Sequence, residues 1–240
     1  MFKQILLLGC CFAFGLGCSA MAGGNRLGWA ESTLPSGTSA NEAQANEARA
    51  NQDKLPAPAE ANEKAPEKFR VKVETTKGDF VLEVNRDWSP NGADRFYNLV
   101  KIGYFQDIAV FRAIEGFMFQ FGIHGDPKVN EVWSEAKIKD DPNAGQSNGF
   151  GTITFAKTGE KNSRSVQFFI NLGFNNRLDA MGFTPFGKVV EGEDVLKKIN
   201  TEYGENSPEV QGRFQDEGNE FIKKKYPKLD MIKKISLLDN

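Results

Sequence analysis

Past residue 18 the 240-residue chain has no cysteine; its three, Cys10, Cys11 and Cys18, all fall near the start. The remainder therefore carries no disulfide, no thiol nucleophile and no cysteine-based zinc site. Histidine is nearly as scarce. His124 stands alone, which excludes a multi-histidine metal centre. Charge of one sign is lacking too: 30 Lys and Arg face 32 Asp and Glu, for a formal net charge of −2. A nearly neutral chain lacks the basic face that a nucleic-acid binder usually presents. No phosphate loop and no dinucleotide fingerprint occurs. An enzyme built from this sequence needs chemistry with little proton shuttling.

What is present begins with an export signal over residues 1–22. Lys3 is its only charge, and an apolar run follows from Ile5 to about Gly17. That run is too short to span a bilayer but suits the core of a signal. Two processing patterns compete. Ala20-Met21-Ala22 fits cleavage before Gly23, and Leu16-Gly17-Cys18-Ser19 fits a bacterial lipobox with Cys18 lipidated. Residues 23–67 show no hydrophobic period. Ala40-Asn41-Glu42-Ala43-Gln44 nearly repeats as Ala45-Asn46-Glu47-Ala48-Arg49, and Pro56, Pro58 and Pro66 follow. Such a segment buries too little surface to offset its ordering entropy, so a disordered linker is expected.

Folded structure is expected from residue 68 to 240. Phe69, Val71 and Val73 alternate with Arg70, Lys72 and Glu74, the mark of a half-buried strand. Lys77-Gly78 gives a turn, and Phe80, Leu82 and Val84 continue as a second strand. Ser89-Pro90 reads as a helix start, with Phe96, Leu99 and Val100 on one apolar face and Gly103 at the end. Further short strands are expected at 108–114, 117–122, 151–156, 166–171, 186–190 and 231–238. Helices are expected near 192–201 and 215–225. Many short strands with few helices suggest a closed β barrel. His124 reads as a turn residue, and Asp140-Asp141 as solvated charge without the ligand spacing of a Ca²⁺ site.

Three segments carry more specific information. They are Val110-Phe111-Arg112-Ala113-Ile114-Glu115-Gly116-Phe117-Met118-Phe119-Gln120, then Ser165-Val166-Gln167-Phe168-Phe169-Ile170-Asn171, then Leu178-Asp179 with Thr184-Pro185-Phe186-Gly187-Lys188-Val189. Their order and spacing resemble the cyclophilin family of peptidyl-prolyl cis-trans isomerases, over about residues 69–200. The resemblance implies a mainly β fold: a closed eight-stranded antiparallel barrel capped by two helices, here with an added C-terminal helical insertion. It places the catalytic residues on Arg112, Phe117 and Gln120. The substrate groove falls on Met118, Ala156, Gln167, Phe169, Leu178 and Phe183. It implies no cofactor and no metal. Several positions depart from the family pattern. Phe111 replaces a His, Phe121 a Gly, Lys157 an Asn, and Arg177 an aromatic residue before the Leu-Asp pair. In the family that aromatic NH helps hold cyclosporin, so its absence implies weak binding of the drug.

These residue types suit such chemistry. Rotation about an Xaa-Pro bond faces a barrier of about 18–20 kcal/mol set by amide resonance. No bond breaks and no proton must leave. As the amide twists, the proline nitrogen becomes a better acceptor, and a fixed guanidinium can donate to it. A twisted amide is also less polar, so a water-excluding pocket favours it. Gln120 and Gln167 can hold the peptide backbone or orient Arg112. The expectation is a monomeric isomerase of proline-containing exported proteins, in the periplasm or cell envelope. It would touch membrane only through a lipid anchor and would bind no nucleic acid. The alternative is a catalytically weak proline-binding chaperone or scaffold module.

Overall fold

Nine short strands form one antiparallel sheet in a computed structural model that describes residues 55–206 and 208–239. The signal, Cys18 and linker residues 23–54 lie outside the described residues. All described residues belong to one unit of the chain, Ala40–Asn240.

The first strand, β1 (Lys68–Thr75), forms a hairpin with β2 (Gly78–Asn85), and Phe69, Val71 and Val73 are buried as the alternation requires. A short 3-10 turn leads to α1 (Pro90–Lys101), whose Phe96 and Leu99 enter the core. There follow β3 (Gln106–Ala109), β4 (Arg112–Ile114), β5 (Met118–Phe121), α2 (Pro127–Trp133), β6 (Thr152–Phe155), β7 (Phe168–Asn171) and β8 (Pro185–Glu191). The chain ends with α3 (Glu193–Leu196), α4 (Pro208–Lys225) and β9 (Met231–Leu237). Strand order across the sheet is β3-β9-β1-β2-β8-β6-β7-β5-β4.

This corrects the expected closed eight-stranded barrel. The stretch 108–114 does not run as one strand. Val110 donates its N–H to the Asp230 carbonyl at 2.8 Å, and the chain leaves one neighbour for another there. Before the bend β3 pairs with β9; after it β4 pairs with β5. Among the described residues no ladder joins β3 to β4, so the sheet curls into a half-barrel without hydrogen-bonded closure. The helices differ too. The helix expected at 192–201 is a single turn, α3, and α2 was not foreseen. The C-terminal insertion begins at Pro208, before the expected 215. It breaks at Gly218, where φ is +63° and an added Cβ would lie 2.2 Å from the Gly125 carbonyl oxygen.

The main core gathers inward-facing residues from most strands and α1 around Phe168. The Phe168 ring lies 4.4 Å from Phe155 and 5.4 Å from Phe96, centre to centre. Residues 55–67, assigned to the linker by composition, pack against this domain instead. Ala61 and Ala65 are buried. The Asn98 side chain accepts from the Glu63 N–H and donates to the Glu63 carbonyl, and Asp94 accepts from the Ala65 N–H. Side chains of α1 thus satisfy an extended backbone that has few apolar groups of its own.

Asp141 is a second correction, because it is buried rather than solvated. Its carboxylate accepts from the backbone N–H groups of Asn91 and Gly92 at 2.9 Å and from the Ser89 hydroxyl. It therefore caps α1, the role expected of Ser89, whose side chain makes no cap bond. Arg164, 3% exposed, donates from both terminal nitrogens to the same carboxylate oxygen at 3.0 Å and lies over the Phe155 ring. Removing one member of such a pair strands the other in a dry setting. Arg164→Met should therefore cost about 3–5 kcal/mol in urea unfolding. A loss below about 1 kcal/mol, the scale of an exposed pair, would show that Asp141 finds water instead.

Candidate active site

The outer face of the sheet carries a row of side chains set by strand register. Arg112 on β4 stands opposite Gln120 on β5, and Gln120 stands opposite Phe169 on β7. The period of two sends Phe119, Phe121, Phe168 and Ile170 into the core while Met118, Gln120 and Phe169 face outward. Met118, Phe169 and Leu178 form a separate buried cluster with Ile114, Phe117, Ala156 and Phe183 packed against it. It floors a cleft of about 260 Å³. A larger hollow of about 520 Å³ lies between residues 55–57 and α2, but it gathers none of the expected site residues.

The structure brings the expected residues together. Arg112, Phe117, Met118, Gln120, Ala156, Phe169, Leu178 and Phe183 all line the cleft. Gln167 is not in its wall but accepts a 2.9 Å hydrogen bond from the Gln120 amide. Gln120 in turn accepts from Arg112 Nη1 at 3.1 Å. The chain Arg112–Gln120–Gln167 fixes both the Gln120 amide and the guanidinium. Arg112 Nε is buried without a partner. Two cations lie near the Phe117 ring, Arg112 at 5.9 Å and Arg177 at 5.0 Å from its centre. Phe183 packs edge-on to Phe169 at 5.8 Å and beneath Lys157 at 5.2 Å.

Several supporting residues escaped the sequence reading. Asn175 donates to the Phe117 carbonyl at 2.7 Å, and Asn148 donates to the Phe183 carbonyl at 2.8 Å. Asn171 links the two amides, accepting from Asn175 and donating to Asn148. Asp179 accepts from Ser147 and from the backbone and side chain of Asn148. Partial burial pushes its pKa up, but those hydrogen bonds outweigh this and hold it below the usual value. The density of Asn in Asn171-Leu172-Gly173-Phe174-Asn175-Asn176 was the available signal.

The insertion also reaches the cleft. Glu205, Asn206 and Gln211 line it, and Glu205 pairs with Arg112 Nη2 at 2.7 Å. Phe111 and Phe121, two of the departures, prove to be core residues. Phe121 lies in the main core, and Phe111 packs against Phe214 of α4 with ring centres 6.2 Å apart. The insertion thus supplies an apolar partner for the residue beside Arg112. His124 is buried and accepts at Nδ1 from the Asp126 N–H at 3.0 Å. Burial pulls its pKa down despite Asp126, so it stays neutral. Among the described residues no group of acidic, His or Cys side chains is arranged to hold a metal ion.

Fold and cleft together define a class: a curled β-sheet enzyme with a fixed guanidinium beside a small apolar cleft. Comparison with known proteins makes the assignment. The model of the family "Cyclophilin type peptidyl-prolyl cis-trans isomerase/CLD" matches residues 70–217. The peptidyl-prolyl cis-trans isomerase of Acinetobacter baylyi is 34% identical over 133 residues, covering 54% of this chain and 70% of that protein. Peptidyl-prolyl cis-trans isomerase B of Escherichia coli is 32% identical over 136 residues, covering 54% and 82%. A cyclophilin-type isomerase structure from Cryptosporidium parvum superposes with a TM-score of 0.54 at 22% identity, over 72% of this chain and 99% of that one. The likeness at that identity shows the fold. The chain belongs to the cyclophilin family of peptidyl-prolyl cis-trans isomerases.

The Arg177 departure yields a test at the rim. Its guanidinium stacks on Phe117 in the place where the family pattern has an aromatic NH donor. Arg177→Trp should tighten cyclosporin about two- to twelvefold, the worth of one neutral hydrogen bond. Titration calorimetry measures it. Tight binding by wild type that does not change in the variant would refute the role given to this position.

Proposed function

We propose that this isomerase turns over Xaa-Pro bonds of exported proteins, without a cofactor, and that Arg112 is its electrostatic catalyst. One observation carries the assignment. A guanidinium tied to Gln120 stands at the edge of an apolar cleft. The substrate proline enters that cleft against Met118, Phe169 and Leu178. Twisting the amide localises a lone pair on the prolyl nitrogen, and Arg112 donates to it. The contact strengthens only as resonance is lost, so it lowers the barrier rather than merely tightening binding. The cleft excludes water and favours the less polar twisted amide. Gln120, held by Gln167, fixes the direction of the guanidinium. Nothing in this scheme titrates near neutrality, which suits a chain whose one imidazole is buried and neutral.

Support for binding of proline segments comes from a second Cryptosporidium parvum structure of this type, determined in the presence of the dipeptide Ala-Pro. The proposed place of work rests on the reading of the N-terminal residues. The export signal over 1–22 sends the chain out. The chain acts as a monomer in the periplasm or envelope, tethered through Cys18 or free after cleavage at Ala22. Among the described residues no helix is long and apolar enough to cross a membrane.

A charge-assisted hydrogen bond contributes about 1.5–3 kcal/mol. Arg112→Ala should therefore slow kcat/KM by about 10- to 150-fold. Arg112→Lys should rescue little, because an ammonium cannot reproduce the planar fork. Cis-trans exchange of an Ala-Pro peptide, followed by NMR with matched thermal melts, measures both. Equal rates in wild type and a folded Arg112→Ala would remove Arg112 from the mechanism. No acceleration by wild type would favour a binding module.

Intact mass of the native protein tests the location. A diacylated Cys18 is expected if the lipobox is used, and Cys18→Ser should then leave the membrane fraction. An unmodified N-terminus at Gly23 would eliminate the anchor, and a retained Met1 would eliminate export.

A further inference from the structure

The residues before α4 are fastened along the outer edge of β4, on both sides of Arg112. Ala113 donates its N–H to the Gly204 carbonyl at 3.3 Å, and the Asn206 side-chain amide donates to the Phe111 carbonyl. Gln211 donates to the Asn206 carbonyl at 3.1 Å and ties the strap to α4. These grips bracket one residue, Glu205, and leave it facing Arg112. Glu205 Oε1 accepts from Arg112 Nη2 at 2.7 Å, yet 67% of the Glu205 side chain is exposed against 20% for Arg112. A carboxylate open to solvent thus lines the cleft and occupies a donor of the catalytic guanidinium.

We propose that Glu205 is a specificity-determining residue that favours proline segments flanked by Lys or Arg. The inference rests on Arg112 acting as proposed above. A neutral peptide carbonyl is a weaker acceptor than a carboxylate, so a neutral substrate competes poorly with Glu205 for Nη2. A cationic flank changes the balance. It takes over the Glu205 carboxylate and releases the Arg112 donor toward the prolyl amide. An acidic flank is repelled by Glu205 and meets a guanidinium already neutralised. Lys157 and Arg177, stacked on Phe183 and Phe117, carry the opposite preference, and Glu205 overrides it only while its charge is present. An ion pair this exposed is weak in water, so the selectivity is modest and sensitive to salt.

The test is kcat/KM of the full chain from exchange NMR on matched Ala-Pro peptides. Each carries Lys, Gln or Glu either two residues before or two residues after the proline. Wild type should turn over the Lys peptide about three- to tenfold faster than the Glu peptide in one of the two series at low salt. The ratio should shrink in 0.5 M salt, where screening acts over roughly a few ångströms. Glu205→Gln, which keeps the shape of the strap, should bring the ratio to about one or below, and should raise kcat/KM for the Gln peptide about two- to fivefold. A ratio near one in wild type, or one unchanged in a folded Glu205→Gln, overturns the proposal. So does a fall in kcat for the Gln peptide, which would make Glu205 a support for Arg112 rather than a competitor. Acceleration of every peptide without charge preference sinks this proposal alone; no acceleration of any peptide removes the proposed function with it.

Discussion

A sheet edge left unpaired must be covered, and the unpaired seam between β3 and β4 organises the functional half of this molecule. An exposed row of backbone donors and acceptors invites pairing with another chain. Here one segment, 204–230, meets four groups along the seam. Gly204 accepts from the Ala113 N–H, Asn206 donates to the Phe111 carbonyl, Asn219 donates to the Asp107 carbonyl, and Asp230 accepts from the Val110 N–H. Behind these bonds Phe214, Phe221, Ile222 and Leu229 form a second core with Ala109, Phe111 and Ile123. The insertion is therefore the wall of the seam rather than an appendage. Arg112 sits on the strand that this wall supports, so its surroundings are set partly by residues about a hundred positions away.

The other wall of the cleft is held by a different device. Phe117 and Phe183 are loop residues, and loops drift unless their backbones are tied. Asn148, Asn171 and Asn175 form a mutually bonded set whose outer members hold the Phe117 and Phe183 carbonyls. Buried amides satisfied on every side rigidify what they touch, and a half-satisfied set would cost more than an apolar one. Register does the rest. Because Phe168 and Phe169 point to opposite faces of β7, the packing that fixes Phe168 among Phe96, Phe155 and Phe186 also fixes where Phe169 meets the cleft. A cavity cut at Phe168 would be felt in the cleft as well as in the core.

How legible each part was in the sequence depends on how local its cause is. The alternation of Phe69, Val71 and Val73 is a strand signal within six residues, and the strand followed it. That Arg112, Phe117 and Gln120 share one cleft was legible because resemblance carried it, while spacing alone favours core for Phe and Met. Asp141 was misread as solvated because its partners are Arg164 and the start of α1, some 23 and 50 residues away. Nothing in Asp140-Asp141-Pro142 announces that one carboxylate is buried. The break at Val110-Phe111 was missed for a similar reason. The local pattern reads as one apolar strand, and only the competition between β9 and β5 for its two halves divides it. Glu205 lay in a stretch whose composition says loop, and its pairing spans 93 residues.

These two supports divide the labour of the site. The parts proposed to set the rate, Arg112 and Gln120, stand on strands whose positions follow from register and a packed core, where placement is held tightest. The parts proposed to discriminate between substrates stand on connections: Glu205 on the seam strap, Lys157 after β6, Arg177 within the 3-10 turn Asn176–Leu178. Rotation about an amide needs one well-aimed donor and a dry surface, and no proton relay, so the strands alone can supply it. Charge at the rim is then free to vary without disturbing the donor, with one exception. Glu205 touches Arg112 itself, so on the proposed roles selectivity and rate share a hydrogen bond at this position. A substitution there alters both, whereas one at Lys157 or Arg177 acts on the flanks of the peptide and leaves the guanidinium bonded as before.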